Sequence, residues 1–158
     1  MDQPVWEEEV ARYKKCLAEA KKKTSCLSEP MAAQRDQLIA YFTQAIAIRP
    51  GYAQPHYHLG QIYSIFGERN KAQAYFEKTM ALAPTHYAAS WELGRIYHGQ
   101  ARYQDAVASF RRAMEASPGN HLLEQDIANF YAEKSKNCEC APLYQFERQK
   151  ILNSPSKR

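Results

Sequence analysis

Four cysteines are the residues of this chain whose chemistry is easiest to name: Cys16, Cys26, Cys138 and Cys140. Four thiolates can complete a zinc site, but a single residue separates Cys138 from Cys140, where zinc knuckles usually have about two to four. Four cysteines also allow three disulfide pairings. We expect reduced thiols and no metal site, and we keep a thiol- or metal-dependent switch at Cys138 and Cys140 as an alternative.

The five histidines do not fall into a catalytic pattern. His56 and His58 project about 200° apart on a helix, so one metal ion could not contact both. The sequence also contains no HExxH motif, no nucleophile elbow and no glycine loop that could hold phosphate. We therefore predict a protein that is not an enzyme, with no catalytic residues and no cofactor.

The net charge of the 158 residues is +4, and it is concentrated near the end of the chain. Residues 134–158 contain six basic and two acidic residues. Such a segment is usually a solvated terminus. Elsewhere the basic residues alternate with acids, whereas a nucleic-acid-binding protein concentrates its bases along one face. We therefore do not expect nucleic acid as a partner.

Two further sequence features concern the compartment. No apolar run approaches the ~20 residues that span a bilayer. The opening stretch MDQPVWEEEV lacks the basic and apolar regions of a secretory signal. We therefore predict a cytoplasmic protein without a transmembrane segment.

The elements that must position any site are visible in an internal repeat. HLGQIY at 58–63 returns as ELGRIY at 92–97, and the segments 53–86 and 87–120 align over their whole length. The identical positions recur at helical spacing, which indicates amphipathic helices. They are Leu59/Leu93, Gly60/Gly94, Ile62/Ile96, Tyr63/Tyr97, Ala72/Ala106, Ala74/Ala108, Phe76/Phe110, Met80/Met114 and Pro84/Pro118.

Each segment is predicted to form two antiparallel helices joined by a short turn. The predicted helices cover 53–66 and 69–82 in the first segment and 87–99 and 103–116 in the second. Gly60 and Gly94 allow a neighbouring helix to approach closely. Pro84 and Pro118 end the second helix of each pair, because proline has no amide donor and its ring clashes inside a helix.

This pattern resembles the tetratricopeptide repeat (TPR) family, whose unit of about 34 residues carries Leu-Gly, Tyr, Ala, Phe and Pro at fixed offsets. The resemblance implies an all-α fold, a right-handed superhelical solenoid of antiparallel helix pairs with about eight helices. We predict a single TPR domain over 1–158. It would contain a divergent helix pair in 1–52 (first helix 4–22, linker 24–30), repeats at 53–86 and 87–120, a degenerate pair at 121–153 and a polar tail at 154–158. In the degenerate pair, Cys140 would fill a small-residue position.

The same resemblance implies a protein-interaction module, an adaptor, assembly factor or chaperone-like subunit, whose concave groove is lined by the first helix of each unit. The side chains opposite the packing stripe of these helices would contact a peptide or helix of a partner. Trp and Tyr supply rigid contact area and Arg can bind a carboxylate. The predicted groove residues are Tyr57, His58, Gln61, Trp91, Arg95, His98, Gln125 and Asn129.

Two alternatives for the groove residues and for helix 121–134 remain open at the level of sequence, and a third, the binding of chaperone tails, is not expected. Tyr57 and Trp91 could pack between adjacent first helices instead of contacting a partner. Arg95 and Asn129 match part of the set with which some TPR domains hold chaperone tails, but the lysines of that set are missing, so we do not predict a chaperone-tail receptor. A self-associating scaffold, a homo-oligomer, is a further possibility, because helix 121–134 is apolar at Leu122, Leu123, Ile127 and Phe130.

Overall fold

The computed structural model of this chain describes residue 15 and residues 29–154, and all regular secondary structure in these ranges is helical. The prediction of an all-α fold is therefore confirmed. Residues 29–154 contain seven α-helices and one 3₁₀ helix. They are α1 (Glu29–Ile48), α2 (Ala53–Ile65), α3 (Arg69–Leu82), α4 (Tyr87–Gly99), α5 (Tyr103–Ala116), α6 (His121–Lys134), the 3₁₀ helix (Ser135–Asn137) and α7 (Ala141–Leu152).

The four helices predicted from the repeat begin and end within one residue of their expected limits. The predicted helix 4–22 lies outside the described residues, except for residue 15, which is helical. The linker predicted over 24–30 is wrong at its end, because α1 already begins at Glu29. Pro30 fits the first turn of this helix, where the missing amide hydrogen has no carbonyl partner to lose.

The chain divides into two compact units, unit 1 over residues 1–75 and unit 2 over residues 76–158. Helix α3 begins in unit 1 and ends in unit 2. In unit 1, α1 packs against α2, and the buried side chains of Met31, Ile62 and Phe66 form the centre of the contact. Burial of these side chains stabilises the pair by removing apolar surface from water.

Unit 2 contains the larger core, formed where α4 packs on α5 and α6 packs on α7. Phe110, Tyr131 and Tyr144 are its largest side chains, and each is almost fully buried. Gly94 lies directly over Phe110, since a Cβ atom added to this glycine would lie 2.5 Å from the Phe110 ring. The absence of a side chain at 94 is thus what lets α4 approach α5, as the sequence indicated.

The turn between the two helices of a pair has the same geometry in both repeats. After α2, the amide of Gly67 donates to Ser64 and that of Glu68 donates to Tyr63; after α4, the equivalent amides of Ala101 and Arg102 donate to His98 and Tyr97. Gly67 has a φ of 75° and Ala101 a φ of 59°. Both residues therefore adopt the left-handed conformation that ends a helix, although only Gly67 adopts it without steric cost.

Two helices of unit 2 begin with a capping side chain at the equivalent repeat position. His86 Nδ1 accepts a hydrogen bond from the amide of Ala89 at 3.2 Å, and Asn120 Oδ1 accepts one from the amide of Leu123 at 3.1 Å. Each cap satisfies an amide that has no partner inside the helix. His86 and Asn120 thus fix where α4 and α6 begin.

Candidate protein-binding face

In unit 1, three of the predicted groove residues belong to one hydrogen-bonded chain along α2. Gln54 Nε2 lies 3.2 Å from His58 Nε2, and His58 Nδ1 lies 3.1 Å from Gln61 Oε1. Gln61 Nε2 in turn donates to the Tyr57 hydroxyl at 3.0 Å. If Gln54 donates to Nε2, the ring proton lies on Nδ1 and donates to Gln61, so neutral His58 satisfies every link.

The His58 ring is also held by a neighbouring helix. It stacks on Phe42 of α1 with ring centroids 4.8 Å apart. The rotamers of Tyr57, His58 and Gln61 are therefore fixed by each other and by α1. Side chains that are already ordered lose little entropy when a partner binds, which favours recognition.

In unit 2, Trp91 contributes its ring to the contact between first helices. Its centroid lies 5.1 Å from that of Phe110 on α5 and 5.9 Å from that of Phe130 on α6. Trp91 is partly buried against the core. This is the packing that the sequence left open as the alternative for this residue.

His98 lies on the same side of α4 as Trp91 and is engaged in a similar way. Its Nδ1 is 3.0 Å from the Tyr144 hydroxyl, and its ring meets Phe130 edge-on at 5.2 Å. Burial lowers the pKa of His98 below its ordinary value, and the nearby Lys134 ammonium lowers the pKa further. His98 therefore acts in the structure as a neutral link between α4, α6 and α7.

Arg95, Gln125 and Asn129 are the predicted residues of unit 2 that are exposed. Gln125 and Asn129 lie one turn apart on α6 and present amide donors and acceptors from the same side. Arg95 Nη1 is paired with Glu92 on the same helix at 3.2 Å. A carboxylate of a partner would have to compete with Glu92 for Arg95.

Two residues of this face, Glu92 and Phe130, were not among the predicted groove residues. Glu92 could have been found, because an acid three residues before a base on a helix commonly pairs with it. Phe130 was assigned to possible self-association, but it fills the space between Trp91 and His98. No signal in one sequence separates these two uses of an apolar residue.

The apolar residues of α6 mostly face the core of unit 2. Leu123 and Ile127 are buried there and Phe130 is partly buried, whereas Leu122 is 76% exposed. The pattern that raised self-association is thus largely explained by packing within one chain. A single exposed leucine is ordinary for a protein surface. Self-association stays a prediction, and the packing of α6 within unit 2 gives it no further support.

The structure joins Cys138 and Cys140 as a disulfide. The expectation of reduced thiols is therefore wrong for this pair. The backbone is extended at Cys138 and helical at Cys140, and this change of direction brings the two sulfur atoms together. Cys140 is buried beside Tyr131 and Tyr144, which agrees with its predicted small-residue position. Cys16 and Cys26 lie outside the described residues.

Residue 15 and residues 29–154 contain neither a cluster of metal-ligating side chains nor a membrane-spanning helix. No three side chains of His, Cys, Asp or Glu come together there as a metal ion would require. In the same ranges, no helix is both long enough and apolar enough to cross a bilayer.

Comparison with known proteins agrees with this architecture. The tetratricopeptide repeat family model matches residues 53–86 and 87–120. A crystal structure of a thermophilic TPR protein of Thermus thermophilus is similar, with 26% identity and a TM-score of 0.57, over 75% of this chain. This chain spans 56% of the length of that protein. No curated protein sequence matches this chain.

Two crystal structures of MamA are similar in fold over most of the chain. One has 18% identity and a TM-score of 0.55, covering 100% of this chain and 99% of MamA. The other has 18% identity and a TM-score of 0.58, covering 94% of this chain and 83% of MamA. The fold is thus that of a TPR helical solenoid, an architecture of protein-interaction and scaffold modules. Residues 53–86 and 87–120 of this chain are two tetratricopeptide repeats.

Proposed function

We propose that this chain is a protein-interaction module that binds a peptide or helix of a partner on the first helices of its repeats. In unit 1 the proposed contacts come from Tyr57, His58 and Gln61. In unit 2 they come from Arg95, Gln125 and Asn129, and Trp91 and His98 pack beneath them. The observation that carries the proposal is that, in unit 2, some of the predicted groove residues pack against other helices and the rest are exposed. Trp91 and His98 fix α4 against α6, while Arg95, Gln125 and Asn129 remain exposed.

This arrangement supports recognition for a physical reason. Amides and a guanidinium can pair with a peptide backbone or a polar side chain, and the packed helices that carry them do not have to be ordered first. Arg95 is already paired with Glu92 at 3.2 Å, and its guanidinium keeps further N–H groups that can donate to a partner. The aromatic residues beneath keep the spacing of the two helices constant.

The experiment is affinity capture from a lysate of the source organism, with bound proteins identified by mass spectrometry. The test variant is the triple substitution Arg95→Ala, Gln125→Ala and Asn129→Ala, which removes exposed groups without touching the Trp91 packing. The matched control is Arg112→Ala, an exposed arginine on the second helix α5. We expect a partner that binds the wild type and the control but not the triple variant.

Circular dichroism of all three proteins shows whether the helices are intact. Capture of the same proteins by the triple variant would overturn the proposal, because the first-helix face would then make no contribution to binding.

A second candidate function rests on the Cys138–Cys140 disulfide. A thiol-dependent switch would couple the redox state of this pair to partner binding. Capture before and after treatment with dithiothreitol, with alkylation and mass spectrometry to record both thiols, tests it. Identical capture in both states would exclude a switch, and elemental analysis of the purified protein would detect a bound metal.

A further inference from the structure

Unit 2 contains a cleft that the proposed binding face does not use. It lies between α5, the turn that precedes α6 and the last turns of α7, and its volume is about 710 Å³. This volume is within the range of about 300–1,000 Å³ that is typical of small-molecule sites. Its apolar lining consists of Met114, Pro118, Gly119 and Ile151.

One wall of the cleft carries more positive than negative charge. Glu147 on α7 has a side chain that is only 7% exposed, and its Oε1 accepts from Arg111 Nη2 at 2.9 Å and from Lys150 Nζ at 3.1 Å. Two cations thus share one carboxylate, which leaves a net charge of +1. Arg111 and Lys150 are each about half exposed, so their remaining N–H groups can reach a second anion.

The rest of the rim has the opposite charge. Glu115 and Glu124 also line the cleft, and His121 lies 3.3 Å from Glu124. A molecule with one anionic group can place it at Arg111 and Lys150 and lay its apolar part over Met114 and Ile151. A second anionic group at the far end of the molecule would meet the two glutamates and be repelled.

We propose that this cleft binds an apolar group that carries a single carboxylate. Two sources share this chemistry: a free aliphatic carboxylic acid, and the carboxyl terminus of a peptide that ends in an aliphatic residue. The lining of the cleft shares no residue with the proposed binding contacts, so this inference does not depend on the proposed function.

The charge requirement is tested by isothermal titration calorimetry on the full chain with decanoate as the probe. Decylamine has the same apolar chain with a positive head, and decanedioate has a carboxylate at both ends. We expect saturable binding of decanoate and binding at least tenfold weaker for the other two. Equal binding of decanoate and decylamine, or no saturable binding of decanoate, would overturn the proposal.

The location is tested by three variants, each checked for helicity by circular dichroism. Arg111→Gln reduces the net charge of the wall from +1 to zero and should weaken decanoate binding by at least about fivefold. Adding Glu147→Gln to this variant restores a net charge of +1 through Lys150 and should recover most of the affinity. Arg112→Gln, on the next residue and not part of the cleft lining, should leave the affinity unchanged.

If Arg111 acted only on folding, the double variant would not recover its affinity for decanoate. Recovery therefore supports a direct role of charge in binding. An unchanged affinity in Arg111→Gln, or equal losses in Arg111→Gln and Arg112→Gln, would place the binding elsewhere and refute the site. A parallel titration with the peptide N-acetyl-Gly-Gly-Leu, with a free carboxyl terminus, separates the two sources. Tighter binding of the peptide identifies a peptide terminus as the ligand, and tighter binding of decanoate identifies a free acid.

Discussion

At the scale of single residues, the two repeats differ most informatively at the turn inside each helix pair, where Gly67 and Ala101 occupy the same position. Ala101 has a φ of 59°, a left-handed conformation that costs an L-residue roughly 1–2 kcal/mol. Replacing it with glycine removes this cost but gives the unfolded chain more freedom, worth about 0.5–1 kcal/mol. We therefore expect Ala101→Gly to raise the free energy of unfolding by about 0.5–1 kcal/mol, measured by urea denaturation.

The reverse change at the equivalent position provides the control. Gly67 has a φ of 75°, so Gly67→Ala should lower the free energy of unfolding by a similar amount. Stabilisation by Gly67→Ala, or destabilisation by Ala101→Gly, would show that left-handed strain does not govern this turn.

A second residue-scale prediction concerns Gly94. A Cβ atom here would lie 2.5 Å from the ring of Phe110, which is fully buried and cannot move aside freely. Overpacking of this kind costs about 1–3 kcal/mol, and it outweighs the gain of about 1 kcal/mol that alanine brings inside a helix. We expect Gly94→Ala to lower the urea midpoint, with a net loss of up to about 2 kcal/mol.

Gly99 offers a matched control at the end of the same helix. It is exposed, so Gly99→Ala should be neutral or slightly stabilising. If both variants shifted the midpoint equally, the close approach of α4 to Phe110 would not be the cause.

At the scale of elements, the helices could be predicted because the repeat carries local signals. The period places apolar residues on one stripe, and Pro84 and Pro118 end the second helices. Even the divergent helix α6 begins at its predicted residue, where Asn120 caps it. These signals act within a few residues, so one sequence is enough to read them.

The orientation of the site residues could not be predicted in the same way. Trp91 and His98 were placed in the groove from their positions on α4, but their surroundings depend on Phe130 of α6 and Tyr144 of α7. The burial of Glu147 depends likewise on Arg111, 36 residues earlier. Such contacts join residues that are far apart in sequence, and no local pattern encodes them.

The contact of α4 with α6 and α7 should be sensitive to pH. Burial lowers the pKa of His98 below the ordinary value of 6.5, and Lys134 lowers it further. The unfolded chain therefore binds a proton at a higher pH than the folded chain does. The stability contributed by neutral His98 is complete above pH 6.5 and is lost as the pH falls from there towards the lower pKa of the folded state.

The measurement is urea denaturation of the wild type and of His98→Gln between about pH 8 and pH 5. Glutamine is uncharged at every pH and can still hydrogen-bond to the Tyr144 hydroxyl. We expect the wild type to lose more stability than the variant below pH 6.5, while the difference between the two stays constant above it. Parallel curves over the whole range would mean that His98 is not the group that titrates.

At the scale of the whole molecule, the second of the two clear repeats buries part of its core against the helices that follow it. Phe110 of the second repeat contacts Phe130 and Tyr131 at centroid distances of 5.0 Å and 5.6 Å, and both partners belong to the degenerate pair α6 and α7. A helix pair in a repeat protein buries its apolar face only against its neighbours. The degenerate pair is therefore required for the stability of the repeat before it.

This dependence predicts the outcome of a truncation. A chain that ends at Asn120 keeps both repeats but exposes Phe110 and the Trp91 ring to water. Each such aromatic buries about 150–250 Å², worth several kcal/mol in total, so we expect the thermal midpoint to fall by at least about 10 °C with loss of cooperativity. A chain that ends at Ser154 keeps α7 and should melt like the full chain. If the Asn120 truncation instead melted within a few degrees of the full chain by circular dichroism, the repeats would be stable alone, and the degenerate pair would be free to serve another purpose.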